Sequence, residues 1–520
     1  MKNFVKNFLN KISKLDNSVK FYENASNKVF LPSYSFVNLG IALTELGEYK
    51  MAYETFKTSS NMANACSNAH INYGISNLQA GNYDEAIKNF YDAIDIDKTN
   101  PKPYILLGFT LSENGDYDKA FMFYEKAKKL NPKNPLLYLK WGITFLQLNK
   151  PSDAIECFNL SYQYDNENTV ALFLLSVTQA EIGLFKSAYQ NLKMLLNVAP
   201  NHFDAINIIS YCALKTKKYD EAIYFANMFL KVNKNVQSFV IIAESLSELN
   251  KIDESLNVYE TALKEFEEDL GNEFYISYSK VLIKNKDYDK ANNYLNEIIE
   301  KDENCAGAHY YLACLNLEKG NLDEAYNSFE KVHEINPNDI NTTINMGLLS
   351  INMQKYDRAI DLLNSILKLT DNTINVENHI ASAYFLKHDL DNAIVYYNKS
   401  LDKMPNDIKS LKEIAKIYIY KNEFETALKY IKKAYKINKK DEEVCYLYGK
   451  IFENINHPKF AVEKYEEVLS INKLHKEAIF GKLRVLKSLG KNDDANNFLE
   501  EVKSILGEND YEAQKKLIKI

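Results

Sequence analysis

The sequence predicts an all-α solenoid of about 15 helix-turn-helix repeats. The chain has 520 residues, and one pattern of 34 residues recurs along it, most clearly at 101–134. Apolar residues within this stretch have the i, i+3, i+4, i+7 spacing of a helix face, first at 104–111 and again at 120–127. Gly115 lies in the turn between the two helices, and Pro132 ends the second. Since a solenoid grows by stacking such pairs, the length of the chain does not require several domains.

The same register divides the chain into four segments. Residues 1–32 predict an N-terminal capping repeat, with a basic amphipathic helix on a membrane surface as the alternative. Residues 33–271 and 272–509 form the N-terminal and C-terminal halves of the array, and residues 510–520 predict a C-terminal capping helix. The first half ends in an acidic segment at 265–271, read as a solvated loop or a docking site. The repeats between the caps start near Ser33, Ser67, Pro101, Pro135, Thr169, Phe203, Val236, Asn272, Ala306, Ile340, Ile374, Ile408, Glu442 and Lys476.

The prolines test this division independently, because a proline inside a helix costs about 3 kcal/mol or more. Each of the ten prolines falls at a repeat entrance, in the turn between helices or just after a second helix. They are Pro32, Pro101, Pro103, Pro132, Pro135, Pro151, Pro200, Pro337, Pro405 and Pro458. We therefore expect no proline in a helix interior.

Small residues recur at two positions where the paired helices are expected to cross closely. Those of the first helices are Gly40, Gly74, Gly108, Gly142, Gly347 and Gly449. Those of the second helices are Ala52, Ala86, Ala120, Ala222 and Ala359. Larger residues are expected to fill the space beside them: Phe56, Phe90, Tyr124, Phe158 and Tyr259. A larger side chain at the crossing would then overpack it.

The repeat at 101–134 resembles a tetratricopeptide repeat. The signature of that family is an aromatic residue, a Leu-Gly pair, Ala-x3-Phe and a closing proline within 34 residues. The matching residues here are Tyr104, Leu107, Gly108, Ala120, Tyr124 and Pro132. The resemblance implies a right-handed superhelical solenoid in which the first helix of each repeat lines a concave groove that binds other proteins.

The groove that the resemblance implies would be apolar in the first half of the array. Two residues of each first helix, four apart, would point into it. In five consecutive repeats these pairs are Val37 and Ile41, Ile71 and Ile75, Ile105 and Phe109, Leu139 and Ile143, and Phe173 and Val177. Either neighbouring first helices cover this strip, or a partner does, in which case it is a groove for a hydrophobic peptide or helix.

Further along the chain the equivalent positions become polar, and lysines collect in one first helix and the next. These lysines are Lys409, Lys412, Lys416 and Lys450. They predict either a site for an acidic or C-terminal carboxylate group or an ordinary solvated face. Chaperone-docking members of the family hold such a carboxylate with a set of Lys, Asn and Arg residues. This chain matches that set only at Asn38, Asn72 and Lys102, which disfavours binding of a chaperone tail.

Composition excludes several other classes of protein. The formal net charge is only −7, and arginine supplies 2 of the 63 basic residues, so nothing favours a nucleic acid partner. The six cysteines lack the C-x-x-C spacing and predict free thiols in a reducing compartment. Apolar runs stay well below the ~18 residues of a membrane span. We therefore expect a cytoplasmic protein.

The sequence also lacks the motifs of common catalytic and cofactor sites. No phosphate-binding G-x-x-x-x-G-K, no G-x-G-x-x-G, no H-E-x-x-H and no G-x-S-x-G occurs. The repeats account for nearly the whole chain, so no stretch of catalytic-domain size remains. We expect a protein without catalytic activity, metal or cofactor.

The function that these patterns favour is a scaffold or adaptor that holds peptide or helical segments of other proteins along its groove. One alternative is the recruiting arm of a protein glycosyltransferase whose catalytic domain lies on another chain. Another is a chaperone or assembly factor for secreted or envelope proteins, which would suit the apolar strip.

Overall fold

Only α-helices and their connections are found in the residues that the structure describes. The structure is a computed structural model, which describes residues 32–62, 65–266, 270–369 and 375–506. These residues form 28 helices and contain no β-strand, which confirms the predicted all-α fold. Residues 1–31 of the predicted capping repeat 1–32, the predicted capping helix at 510–520 and residues 267–269 of the acidic segment lie outside the described residues.

The chain divides into two compact units, Met1–Ser277 and Tyr278–Ile520, and the division falls within α15. The helices of the first unit are α1 (Pro32–Glu45), α2 (Tyr49–Ser60), α3 (Ser67–Gln79), α4 (Tyr83–Ile96), α5 (Pro101–Glu113), α6 (Tyr117–Leu130), α7 (Pro135–Gln147), α8 (Pro151–Tyr164), α9 (Thr169–Glu181), α10 (Phe185–Val198), α11 (Phe203–Lys215), α12 (Tyr219–Leu230), α13 (Val236–Glu248) and α14 (Ile252–Glu265). Helix α15 (Asn272–Lys284) follows.

The second unit repeats the same alternation of first and second helices. Its helices after α15 are α16 (Tyr288–Lys301), α17 (Ala306–Lys319), α18 (Leu322–Ile335), α19 (Ile340–Asn352), α20 (Tyr356–Leu369), α21 (Glu377–Leu386), α22 (Leu390–Lys403), α23 (Ile408–Tyr420), α24 (Phe424–Ile437), α25 (Glu442–Asn454), α26 (Pro458–Ile471), α27 (Lys476–Ser488) and α28 (Asn492–Leu506).

The first helices begin where the sequence predicts. Twelve of the fourteen start at the predicted residue; α1 starts one residue early, and α21 starts at Glu377 rather than Ile374. No proline lies in a helix interior. Five of them open a helix from its first position, as Pro101 and Pro151 do, where a missing backbone N–H costs nothing. Asparagine and aspartate residues cap many first helices; Asn100 Oδ1, for example, accepts from the backbone N–H of Lys102 at 3.0 Å.

The predicted close crossing of the paired helices is confirmed. A Cβ atom placed on Gly108 would lie 2.8 Å from Tyr124 Cε1, and one on Gly142 would lie 2.6 Å from Phe158 Cε1. Ala120, on the opposite helix, is fully buried. The two backbones can approach only because the crossing carries no larger side chain, and the neighbouring aromatic ring fills the space that remains.

Each hairpin turn contains one residue in the left-handed region of backbone conformation. Six of the fourteen are glycines, such as Gly115 with φ of 86°, and glycine adopts this conformation without steric cost. The other eight are Asn149, Lys217, Asn250, Lys286, Gln354, His388, Asn422 and Asn456. The left-handed conformation is therefore kept in these eight turns even though the residue there is not a glycine and its Cβ atom makes the conformation sterically costly.

Candidate binding groove

The first helices of the first unit bring the predicted apolar residues into one strip. Helix α1 contacts α3, α3 contacts α5, and α5 contacts α7, so these helices lie side by side in one layer. Residues four apart on a helix share a face. The pairs on α1, α3, α5 and α7 are therefore continued from one helix to the next. Phe173 on α9 packs against the same hydrophobic cluster as Leu139 and Ile143 on α7.

The first residue of each pair forms the floor of this strip. Val37 is 3% exposed, Ile71 is 1% exposed and Ile105 is fully buried. Ile71 and Ile105 belong to one hydrophobic cluster with the aromatic rings of Phe90 and Tyr124. Neighbouring helices thus bury these three side chains. Little of the surface of Val37, Ile71 and Ile105 remains for a partner.

The second residue of each pair is more open and forms the wall. Ile41 is 41% exposed, and Ile75 and Phe109 are half-buried. On α7 and α9 both members are half-buried; these are Leu139, Ile143, Phe173 and Val177. The strip is therefore partly covered by its own helices and partly open. The sequence left two alternatives, cover by neighbouring first helices or by a partner; the first applies to the buried part of the strip, and the open part leaves room for the second.

A depression of about 320 Å³ lies between α3, α5 and α7. Its apolar lining comes from Ile75, Leu78, Leu106 and Phe109. Its polar lining is Gln79, Tyr83, Glu113 and Lys140. Only Ile75 and Phe109 of this set were among the residues predicted from the sequence. Leu78, Gln79, Leu106 and Glu113 stand one helical turn from these two residues, and Lys140 is the counterpart of Leu106 in the next repeat, so alignment of the repeats points to them. Tyr83 opens the second helix α4 and lies outside that pattern.

Lys140 places a positive charge inside this depression. Its Nζ lies 4.0 Å from the centre of the Phe109 ring, a cation–π arrangement. Burial lowers the pKa of Lys140, and the charge of Glu113 acts in the opposite direction. Glu113 Oε1 in turn accepts a hydrogen bond from Gln147 Nε2 at 2.5 Å.

Trp141, the only tryptophan of the chain, contributes to the packing beside the strip. Its ring stacks on Tyr124, with centroids 5.5 Å apart and an interplanar angle of 23°. It also stacks on Phe145, with centroids 6.3 Å apart. The side chain is half-buried, and its Nε1 has no hydrogen-bond partner.

Two of the four predicted lysines of the second unit, Lys412 and Lys416, come together at Glu443 and are ion-paired. Lys412 Nζ lies 3.2 Å from Asp441 Oδ2 and 2.9 Å from Glu443 Oε2. Lys416 pairs with Glu413 at 2.9 Å and also with Glu443. Burial opposes the charge on Lys412, yet hydrogen bonds and charges from Glu443 and Asp441 raise the pKa of Lys412 above its ordinary value.

The other two members of this patch are Lys409, which is exposed, and Lys450, which is half-buried. Asp441 and Glu443 are not among the residues predicted from the sequence, because they lie 27 to 31 residues along the chain from the lysines that they neutralise. Binding of a carboxylate at this patch would have to displace these contacts, and it stays a prediction.

The described residues offer few groups for chemistry. All six cysteines are free, as predicted. Burial raises the pKa of the Cys157 thiol to about 12 and that of the Cys212 thiol to about 11, which keeps both protonated and unreactive at neutral pH. Within the described ranges, no three His, Cys, Asp or Glu side chains are grouped to hold a metal ion. Nor does that part of the chain contain a helix long and apolar enough to cross a membrane.

Comparisons with known proteins identify the repeat. Tetratricopeptide repeat models match residues 77–138 and 316–381, residues 279–340, and residues 409–441. No curated protein matches the sequence significantly.

Solved structures that resemble this chain are distant in sequence. The Cut9–Hcn1 hetero-tetramer of the APC/C is 14% identical, with 94% of this chain and 96% of that chain covered and a TM-score of 0.38. The Naa15/Naa10 complex bound to HypK is 13% identical over 83% of this chain and 68% of that chain, with a TM-score of 0.35. A thermophilic tetratricopeptide repeat protein of Thermus thermophilus is 18% identical over 35% of this chain and 99% of that chain, with a TM-score of 0.32.

Proposed function

This chain belongs to the tetratricopeptide repeat family, and on that premise we propose that it is a non-catalytic scaffold that binds segments of partner proteins along the first helices of its first unit. The observation that carries this proposal is the open part of the apolar strip. Ile41, Ile75 and Phe109 stand at the same position of three consecutive repeats and keep accessible surface. A run of apolar residues exposed side by side is typical of a site for a peptide or a helix.

The shape of the depression supports a side chain as the anchor. At about 320 Å³, its volume is at the lower end of the range of about 300–1,000 Å³ found for ligand pockets. Four apolar and four polar side chains line it. A large apolar side chain of a partner would enter this open depression and contact its apolar lining.

In the second unit, helix α23 has charged residues at the two groove-facing positions that are apolar in the first five first helices. Lys412 and Lys416 stand where the first unit has apolar residues, and both are bound to carboxylates of their own chain. A partner would have to break these ion pairs before it could make new ones. We therefore assign partner binding to the first unit.

Capture of partners by the full-length chain tests this proposal. The informative variant is Ile75→Glu combined with Phe109→Glu, because both side chains are accessible and a charge there is compatible with folding. A charge at Ile71 or Ile105 would instead be buried in the core and would unfold the chain. We expect proximity labelling in cells to lose its enriched partners in the double variant, while circular dichroism shows unchanged helix content.

The matched control carries the same two charges away from the strip. Met122 on α6 and Met194 on α10 are exposed apolar residues of second helices, so Met122→Glu with Met194→Glu should keep the partners. Capture that survives in the strip variant, or that is lost equally in the control, would contradict the proposal. A glycosyltransferase catalytic chain among the partners would favour the role of a recruiting arm, and secreted or envelope proteins would favour an assembly factor.

A further inference from the structure

A row of polar side chains follows the apolar strip along one edge. It consists of the residues that stand four positions after each wall residue, on the same helix faces, at intervals of 34 residues. These residues are Glu45, Gln79, Glu113, Gln147 and Glu181, and all five are exposed. Each lies at the C-terminal end of its helix, from α1 to α9.

Two observations connect this row to the groove. Gln79 and Glu113 line the same depression as the wall residues Ile75 and Phe109. The hydrogen bond from Gln147 to Glu113 links the row from α7 to α5. The row is therefore an edge of the groove itself, and every second position in it carries a negative charge.

The opposite edge of the strip carries no negative charge. It is formed by the second residue of each predicted repeat: Tyr34, Asn68, Lys102, Leu136 and Val170. Inside the strip, the charge of Lys140 lies against the Phe109 ring. An occupant of the groove therefore meets an apolar floor and wall, and glutamates along one side.

We propose that the occupant is a basic amphipathic helix of a partner protein. Its apolar face would lie on Ile41, Ile75 and Phe109, and its lysine or arginine side chains would reach the three glutamates of the edge. This inference rests on the proposed function and adds the chemistry of the partner to it. Amphipathic helices have the required form, an apolar face flanked by charge. Nucleic acid, an acidic peptide and an anionic membrane surface are all repelled by the same glutamates.

The spacing of the glutamates sets the length of this helix. Packed helices lie roughly 8–10 Å apart, so glutamates on every second first helix are separated by roughly 16–20 Å. A helix rises 1.5 Å per residue, so its basic groups would recur about every 11 to 13 residues. A helix of about 25 residues would reach all three glutamates.

Three peptides with identical leucine positions test the charge of the partner. Each has about 25 residues, and the edge that would face the glutamates carries lysine, glutamine or glutamate. We expect the lysine peptide to bind the full-length chain about tenfold more tightly than the glutamine peptide, and the glutamate peptide to bind most weakly. The difference should shrink when NaCl is raised from about 50 to about 500 mM, because the charges are exposed.

Variants of the protein provide the reciprocal test. Glu45→Gln, Glu113→Gln and Glu181→Gln together should weaken the lysine peptide about tenfold. Glutamine already occupies the same position in α3 and α7, so the fold should accept this change. The control variant combines Glu54→Gln, Glu125→Gln and Glu156→Gln, three exposed glutamates of second helices, and should bind normally. Lys140→Met should act in the opposite direction and tighten the lysine peptide a few-fold, which general destabilisation of the groove could not do.

The outcomes separate this inference from the proposed function. Equal affinity for all three peptides, abolished by Phe109→Glu, would overturn the basic partner and keep the groove as a binding site. Binding of the lysine peptide that is equally weakened by the control variant would place the contact outside the groove edge and overturn the inference. If no peptide binds, the inference falls, and partner capture by the strip variant still decides the proposed function.

Discussion

Helix α5 of the first unit and helix α23 of the second use the same two positions of the repeat in opposite ways. In α5 the fifth and ninth residues are Ile105 and Phe109, and in α23 they are Lys412 and Lys416. Ile105 is fully buried in a hydrophobic cluster, whereas Lys412 is held by carboxylates of the next repeat. Helix α5 therefore has apolar residues at these positions, and helix α23 has charges that already have partners.

The crossing between paired helices, by contrast, is the same in both units. Gly108 faces Tyr124 in the first unit, and Gly449 faces Tyr465 in the second. Ala120 and Ala427 are both fully buried. The fold thus depends on the residues between the two helices of a hairpin, and the groove-facing residues can change without altering it.

Truncation of Ile105 should have the largest effect on stability. Ile105→Ala leaves a cavity among fully buried side chains, and we expect it to lower the free energy of unfolding by about 2–4 kcal/mol. Urea denaturation followed by the fluorescence of Trp141 measures this in the first unit. Ile41→Ala, at an exposed wall position, is the matched control and should cost less than about 1 kcal/mol. A similarly small loss of unfolding free energy in both variants would show that the floor residue Ile105 and the wall residue Ile41 do not differ in burial.

Overpacking of the crossing should affect the two units alike. Ala120→Leu and Ala427→Leu each insert a larger side chain between packed helices, and we expect a loss of roughly 1–3 kcal/mol in each unit. Hydrogen exchange with mass spectrometry can assign the loss to the affected hairpin. An unchanged stability of either variant would contradict the close crossing in that unit.

The smallest effect should come from the ion pairs of the second unit. Burial would raise the pKa of Glu443, but hydrogen bonds and charges from Lys416 and Lys412 hold it below its ordinary value of 4.5. A lowered pKa in the folded state contributes stability above about pH 4.5 that is lost as the pH falls through the folded-state pKa. Glu443→Gln should therefore cost about 0.5–1 kcal/mol at pH 7 and less at pH 3.

This prediction concerns the second unit alone. Hydrogen exchange in α23 and α25 at the two pH values measures it, and Glu425→Gln, at an exposed site of α24, is the control. If the cost of Glu443→Gln does not change with pH, the ion pairs do not stabilise the unit, and its lysines would be available for another ligand.

The sequence predicted the fold because its signals are local. Twelve first helices start at the predicted residue, and the glycine and alanine residues of the crossing lie within one repeat of their partners. The exposure of a groove residue depends on the neighbouring repeat instead. For this reason the sequence could not show that Ile71 and Ile105 are buried while Ile75 and Phe109 stay open, or that Glu443 would neutralise Lys412 from 31 residues away.

The helix contacts found in the described residues join neighbours one or two places apart along the chain, and this has a consequence for how the protein folds. Contacts between residues close in sequence give a low contact order, which favours rapid folding. Any hairpin can then serve as a nucleus, and structure spreads from it in both directions as the next hairpin docks. Synthesis on the ribosome suits this process, since each pair of helices finds its template already formed by the pair that emerged before it.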